Sequence, residues 1–105
     1  MKRLLFALAL LLQFAAPSAM AETWPVREVG QYCDDLYSSG TERSKRCFQR
    51  QYREWGAWAS TPANVPADYY NRILNLCATK YFPDIATMVR CKGTLIVEGR
   101  KRNFR

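Results

Sequence analysis

The chain has 105 residues, with 16 lysines and arginines against 9 aspartates and glutamates, a formal net charge of +7, four cysteines and no histidine. That length excludes a multidomain enzyme. The missing histidine removes the commonest general base, proton shuttle and metal ligand.

The N-terminus reads as a targeting segment. Lys2 and Arg3 precede an apolar run over residues 4–12, which continues after Gln13 with Phe14, Ala15 and Ala16. Pro17 breaks the run, and Ala19-Met20-Ala21 provides a small-x-small cleavage box, so residues 1–21 are expected to be a cleaved secretory signal peptide. As a helix, residues 4–16 would span roughly 20 Å, short of a ~30 Å hydrocarbon core. Removing them takes Lys2 and Arg3 away and leaves 14 basic and 9 acidic side chains in residues 22–105, a net charge of +5. A domain of that size buries too little surface to be comfortable without covalent help. Cys33, Cys47, Cys77 and Cys91 all fall in the exported part, where an oxidising compartment turns an even number of cysteines into a disulfide framework.

Hydrophobic periodicity predicts four helices. Val29, Tyr32, Cys33, Leu36 and Tyr37 form one apolar face of the first. The second has Phe48, Tyr52, Trp55 and Ala59 on one face, with Arg43, Lys45, Arg46, Arg50 and Arg53 mostly around the other. A linker over residues 60–66 holds Pro62 and Pro66, and Pro66 suits the first position of the third helix. Tyr70, Ile73, Leu74, Cys77 and Tyr81 line that helix. The fourth is expected to start at Pro83, with Asp84 in its first turn and Ile85, Met88, Val89, Leu95 and Ile96 on its buried face. Gly93-Thr94 and the β-branched Ile96-Val97 weaken its end and suggest a short extended segment.

The cysteines betray a duplication. Cys33 to Cys47 and Cys77 to Cys91 have the same spacing, and a shift of 44 residues superposes Tyr37 on Tyr81, Arg46 on Arg90, and apolar Val29, Tyr32 and Tyr52 on Ile73, Leu76 and Ile96. We delimit a first repeat at about 27–59, a second at about 67–98 and a basic tail at 99–105. Two pairings follow from two readings of each repeat. One unbroken helix would place its cysteines about 21 Å apart and force bonds between the repeats, nested about Pro62. Breakers at the midpoints, Ser38-Ser39-Gly40 and Pro83-Asp84, instead fold each repeat into a hairpin and favour Cys33 with Cys47 and Cys77 with Cys91. The fold class is therefore all-α: two disulfide-stapled helical hairpins packed face to face in one small domain.

These residues resemble a motif of small exported, mostly uncharacterised bacterial proteins: a C-x3-aromatic-x9-C helical hairpin with an acidic residue near the bend, a Met before the second cysteine and a Gln/Lys/Arg-rich helix after it. Cys77, Tyr81, Asp84, Met88 and Cys91 match closely, while Cys33, Tyr37 and Cys47-Phe48-Gln49-Arg50-Gln51 match a second copy more loosely. The resemblance covers about half of residues 22–105 and implies a disulfide-closed hairpin in an exported protein. It carries no common activity.

Little in the sequence suggests catalysis. Without histidine there is no Cys-His or Ser-His pair, and there is no Cys-x-x-Cys for thiol exchange nor a cysteine cluster with zinc spacing. Asp34, Asp35, Glu42, Glu54 and Asp84 could supply a carboxylate pair. Asp34 and Asp35 are expected on the solvent side, and Glu54 in an ordinary i, i+4 pair with Arg50. No enzyme, cofactor or metal is expected. The remaining signal is local positive charge: Arg43, Lys45, Arg46, Arg50 and Arg53 on one helix, and Arg100, Lys101, Arg102 and Arg105 in the tail. These nine are the candidate anion-binding residues. The leading expectation is a periplasmic interaction protein that docks on an envelope protein or anionic polymer through a basic face. The alternative is a membrane-active killing factor or an accessory of an envelope-spanning transfer system, with Trp55, Trp58 and Arg53 at an anionic membrane surface. A carboxylate-dependent hydrolase, or an inhibitor of one, ranks third. Nucleic acid is disfavoured as a partner by export.

Overall fold

A computed structural model describes residues 23–105; the expected signal peptide lies outside the described residues. Four helices follow one another: α1 (Val26–Tyr37), α2 (Glu42–Ala59), α3 (Ala67–Tyr81) and α4 (Ile85–Lys101). α1 folds back on α2 through the turn at Ser38 to Thr41, where Ser38 and Gly40 take left-handed φ values of 71° and 79°. Thr41 then caps α2, its hydroxyl oxygen accepting from the Ser44 N–H at 3.2 Å. Cys33 and Cys47 are bonded across this hairpin, and Cys77 and Cys91 across the second, each pair with Cα atoms 5.7 Å apart. The midpoint breakers therefore do bend each repeat, and each disulfide closes a loop of a length for which about 3 kcal/mol of stabilisation is typical.

The hairpins meet through their second helices, α2 against α4, with α1 and α3 carried outside. Gln51 of α2 meets the first turn of α4, and Ala57 and Trp58, about two turns further along α2, meet Lys92, about two turns further along α4. α2 and α4 thus run in the same direction. One core cluster joins Val29 and Cys33 of α1 to Ile85 and Met88 of α4; the other joins Tyr70, Ile73 and Cys77 of α3 to Ile96 of α4. Trp24 closes one end by edge or tilted ring contacts with Phe48, Tyr52 and Trp55, centroids 5.4–5.8 Å apart.

Several sequence expectations are corrected. α4 starts at Ile85, not Pro83, because Asp84 is its N-cap. Pro66 likewise precedes α3 as its cap residue, its carbonyl accepting from the Tyr70 N–H at 2.9 Å. No extended segment interrupts α4, which stays helical through Lys101: burial of Lys92, Ile96 and Gly99 along one stripe overrides the weak propensity of Gly93 and Val97. On α2 the fully buried positions are Ser44 and Gln51, whereas Tyr52 is exposed. Leu36 and Tyr37 are exposed too, 53% and 42%, although they continue the apolar face of α1.

Lys92 fastens the two hairpins. It is only 6% exposed, and the three protons of its Nζ are shared among four acceptors, the carbonyls of Ala57 (2.8 Å), Trp58 (3.1 Å) and Ser60 (2.9 Å) and the Tyr70 hydroxyl (3.1 Å). Those carbonyls are the orphan acceptors at the C-terminal end of α2, where a cation also complements the helix dipole. Burial pulls the Lys92 ammonium below the usual lysine range, while the three carbonyls and the dipole favour its charged form. The rings of Trp58 and Tyr70 flank it at 5.7 and 5.5 Å. Lys92→Met keeps the aliphatic stem but strands the acceptors. We expect it to cost about 3 kcal/mol, lowering the thermal midpoint by roughly 10 °C or more, as read by circular dichroism with both disulfides intact.

Candidate functional site

A cleft of about 600 Å³ lies where α1, α2 and the start of α4 meet. Its walls carry four arginines. Arg43, Arg46 and Arg50 recur along one side of α2, and Arg90 faces them from α4. All four are exposed, and among the described residues none has a carboxylate within ion-pairing distance; the single ion pair there joins Lys101 to Glu98 at 3.9 Å. Tyr32, Leu36 and Tyr37 from α1 supply an apolar and aromatic side to the same cleft.

One acidic side chain, Asp84, lines it, and its oxygens are already engaged. Oδ1 accepts from the Gln51 amide at 2.9 Å and from the Thr87 N–H at 3.3 Å, while Oδ2 accepts from the Thr87 hydroxyl at 2.6 Å. Burial pushes the Asp84 carboxyl up, but the hydrogen bonds from Thr87, Gln51 and Tyr32 outweigh it and hold the group below the ordinary carboxylate range. Burial, followed by the facing Asp84 charge, raises Tyr32 above the usual phenol value. Gln51 completes the arrangement from the other end: its Oε1 accepts the Ala86 N–H at 2.8 Å. One glutamine of α2 thus holds both the cap and the first turn of α4, and fixes the backbone that carries Thr87 and Arg90.

A second cleft of about 380 Å³ runs between α3 and α4. It is the repeat-equivalent of the first. Each of Tyr32, Leu36, Tyr37 and Arg43 in the first cleft has its counterpart 44 residues on, in Leu76, Lys80, Tyr81 and Thr87; Arg46, Cys47, Arg50 and Gln51 correspond in the same way to Arg90, Cys91, Thr94 and Leu95. The two clefts share Thr87 and Arg90, so both open along one stripe of α4.

The nine sequence-nominated cations therefore divide. Arg43, Arg46 and Arg50 converge on the cleft. Lys45 lies beside Ser44 and Phe48 on another side of α2, and Arg53 beside Tyr52. Arg100 donates to the Ala63 carbonyl at 3.2 Å and Lys101 pairs with Glu98. Arg102 and Arg105 are exposed in a tail that folds back, its Phe104 ring 5.0 Å from Tyr69 and close against Gly99. Arg90 was not among the nominees, although its equivalence with Arg46 marked it in the sequence. The carboxylates behave partly as expected. Asp35 accepts from Gln31 at the surface, but Asp34 is half-buried and accepts from the Ser44 hydroxyl. Glu54 makes no ion pair with Arg50. Trp55 and Trp58 are half-buried against the core rather than forming an exposed patch with Arg53. Among the described residues no helix is long and apolar enough to cross a membrane.

Comparison with known proteins adds no relative: no family model, no curated protein and no solved structure matches the chain.

The Asp84 network carries a pH signature. Its folded-state pKa lies below the unfolded value, so its contribution is complete above the ordinary carboxylate range and is lost as pH falls through the folded value. Asp84→Asn keeps a good cap but removes the charge. The stability advantage of the native protein over this variant, measured by urea unfolding, is expected to stay constant from neutral pH down to about pH 5 and to shrink progressively only below it. Asp84→Ala loses the cap as well and strands Gln51, costing about 2 kcal/mol at neutral pH.

Proposed function

We propose that this is a small exported, non-enzymatic interaction protein that captures an anionic group of an envelope protein or anionic polymer in the cleft between α1, α2 and α4. One observation carries the reading: four guanidinium groups line a single cleft, and among the described residues none of them makes an ion pair. Arginine presents a planar fork of donors suited to carboxylate and phosphate, and unpaired guanidiniums around a concavity focus a positive potential on whatever enters it. The non-enzymatic part rests on the absence of histidine from the sequence and on the full engagement of Asp84, which leaves it a structural cap rather than a free acid or base. Export is supported by the two disulfides, which persist in oxidising compartments.

Charge alone makes any basic protein stick to polyanions, so the test compares equal charge losses at two places. Arg46→Ser with Arg50→Ser is expected to weaken binding of a short fluorescent polyglutamate by about tenfold or more at low ionic strength. Arg102→Ser with Arg105→Ser, which removes the same charge from the tail, should change it less than about twofold. Wild-type binding should also weaken as sodium chloride is raised. Equal losses from the two double variants would sink the cleft as the site.

A further inference from the structure

The second cleft uses the repeat-equivalent positions of the first but not their chemistry. Where the first has Arg43, Arg50 and Gln51, the second has Thr87, Thr94 and Leu95, and where the first has Tyr32 the second has Leu76. Leu76 is 56% exposed, on a helix that also supplies three core residues. Leu95 and Tyr81 are half-buried beside it. Across the first cleft Leu36 and Tyr37 are exposed as well, so one side of the molecule combines exposed apolar groups with unpaired arginines. Arginine and aromatic enrichment of this kind marks protein-recognition surfaces.

We infer that the two clefts form one bipartite site for a partner polypeptide: an extended segment whose carboxylates occupy the arginine cleft and whose large aliphatic side chain crosses α4 to lie against Leu76 and Leu95. The inference rests on the anionic reading of the first cleft and adds the partner's chemical class. The ridge bearing Thr87 and Arg90 separates the clefts by about one helix diameter, ~10 Å. An extended chain covers that in three to four residues at ~3.3 Å each. Both clefts are open troughs, which suits a chain lying across a surface; an acyl chain there would keep one side in water. A second copy of this protein is opposed by charge, since this side carries Arg43, Arg46, Arg50, Arg90 and Lys80 against Asp84 alone, and a two-fold interface would bring like charges together. A nucleic acid or polyphosphate has no aliphatic group for the second trough.

The experiment is fluorescence anisotropy on the purified protein with both disulfides formed. Three peptides are compared: one with two adjacent glutamates and a leucine four residues later, the same peptide with serine for the leucine, and one with glutamines for the glutamates. The leucine peptide should bind about tenfold tighter than the serine peptide, and the glutamine peptide should bind worst. Leu76→Ser, at an exposed position that does not endanger the core, should erase the preference for leucine and leave the serine peptide unaffected. Arg46→Ser with Arg50→Ser should weaken both acidic peptides. Equal binding of the leucine and serine peptides would overturn the bipartite site while leaving the arginine cleft in place. No binding of either acidic peptide, or binding indifferent to Arg46 and Arg50, would overturn both. Vesicles of phosphatidylglycerol serve as the competing arm: if they bind with a dependence on Leu76 that the peptides lack, the partner is a membrane surface and the polypeptide inference fails.

Discussion

The ammonium of Lys92, held by the last carbonyls of α2, is the contact on which the arrangement of the molecule depends. Two parallel helices in contact leave the negative end of one beside the flank of the other, and the α2–α4 pair has that geometry. A cation placed there satisfies three acceptors and opposes the dipole in one step. Tyr70 draws the third helix to the same point, its hydroxyl donating to the Ser60 carbonyl at 3.0 Å and accepting from Lys92. At the other end of the seam Gln51 does for the start of α4 what Lys92 does for the end of α2. With both ends of the contact fixed by side chain to backbone bonds, α4 can neither slide nor rotate against α2. Arg90 is thereby held across from Arg46 and Arg50.

Much of this was legible in the sequence, and the parts that were not share a cause. The four helices and both disulfides follow from apolar spacing and from breakers midway between cysteines, which are local signals. Lys92 and Gln51 are polar residues within buried stripes, and a periodicity search that counts apolar positions passes over both. The signal was nonetheless present: Ile85, Met88, Lys92, Ile96 and Gly99 follow one helical stripe, and a lysine in such a stripe needs acceptors when buried. Leu36 and Tyr37 err in the opposite direction. They continue the apolar face of α1 and so read as core, yet they are exposed because the hairpins pack through α2 and α4 and leave that end of α1 uncovered. The sequence cannot show which part of an amphipathic face lacks a neighbour.

The basic charge divides along similar lines. Composition marks all nine nominated cations alike, but only those on the α4-facing side of the helix share a concavity with Arg90. The tail is ordered by a different device. Gly99 admits the Phe104 and Tyr69 rings so closely that a Cβ there would lie 2.7–2.9 Å from them, and Asn103 and Phe104 take left-handed φ values of 53° and 56° to bring the chain back. Its arginines are thus spread around the far end of α4 and do not extend the cleft.

Why the first hairpin carries the larger and more cationic cleft follows from register. The repeats are related by a shift of 44 residues, but across the seam Gln51 faces Ala86, a separation of 35. The second hairpin is therefore advanced along the first by nine residues, roughly 13 Å at ~1.5 Å per residue. That stagger places Asp84, Thr87 and Arg90 over the cleft of the first hairpin as a third wall. The cleft of the second hairpin is lined by its own two helices alone. Arg90 thus lines its own hairpin's cleft as the counterpart of Arg46 and also closes the neighbouring cleft as a fourth guanidinium. Identical hairpins packed in this register would already differ in the shape of their clefts, and the replacements at positions 87, 94 and 95 then give the smaller one its apolar character.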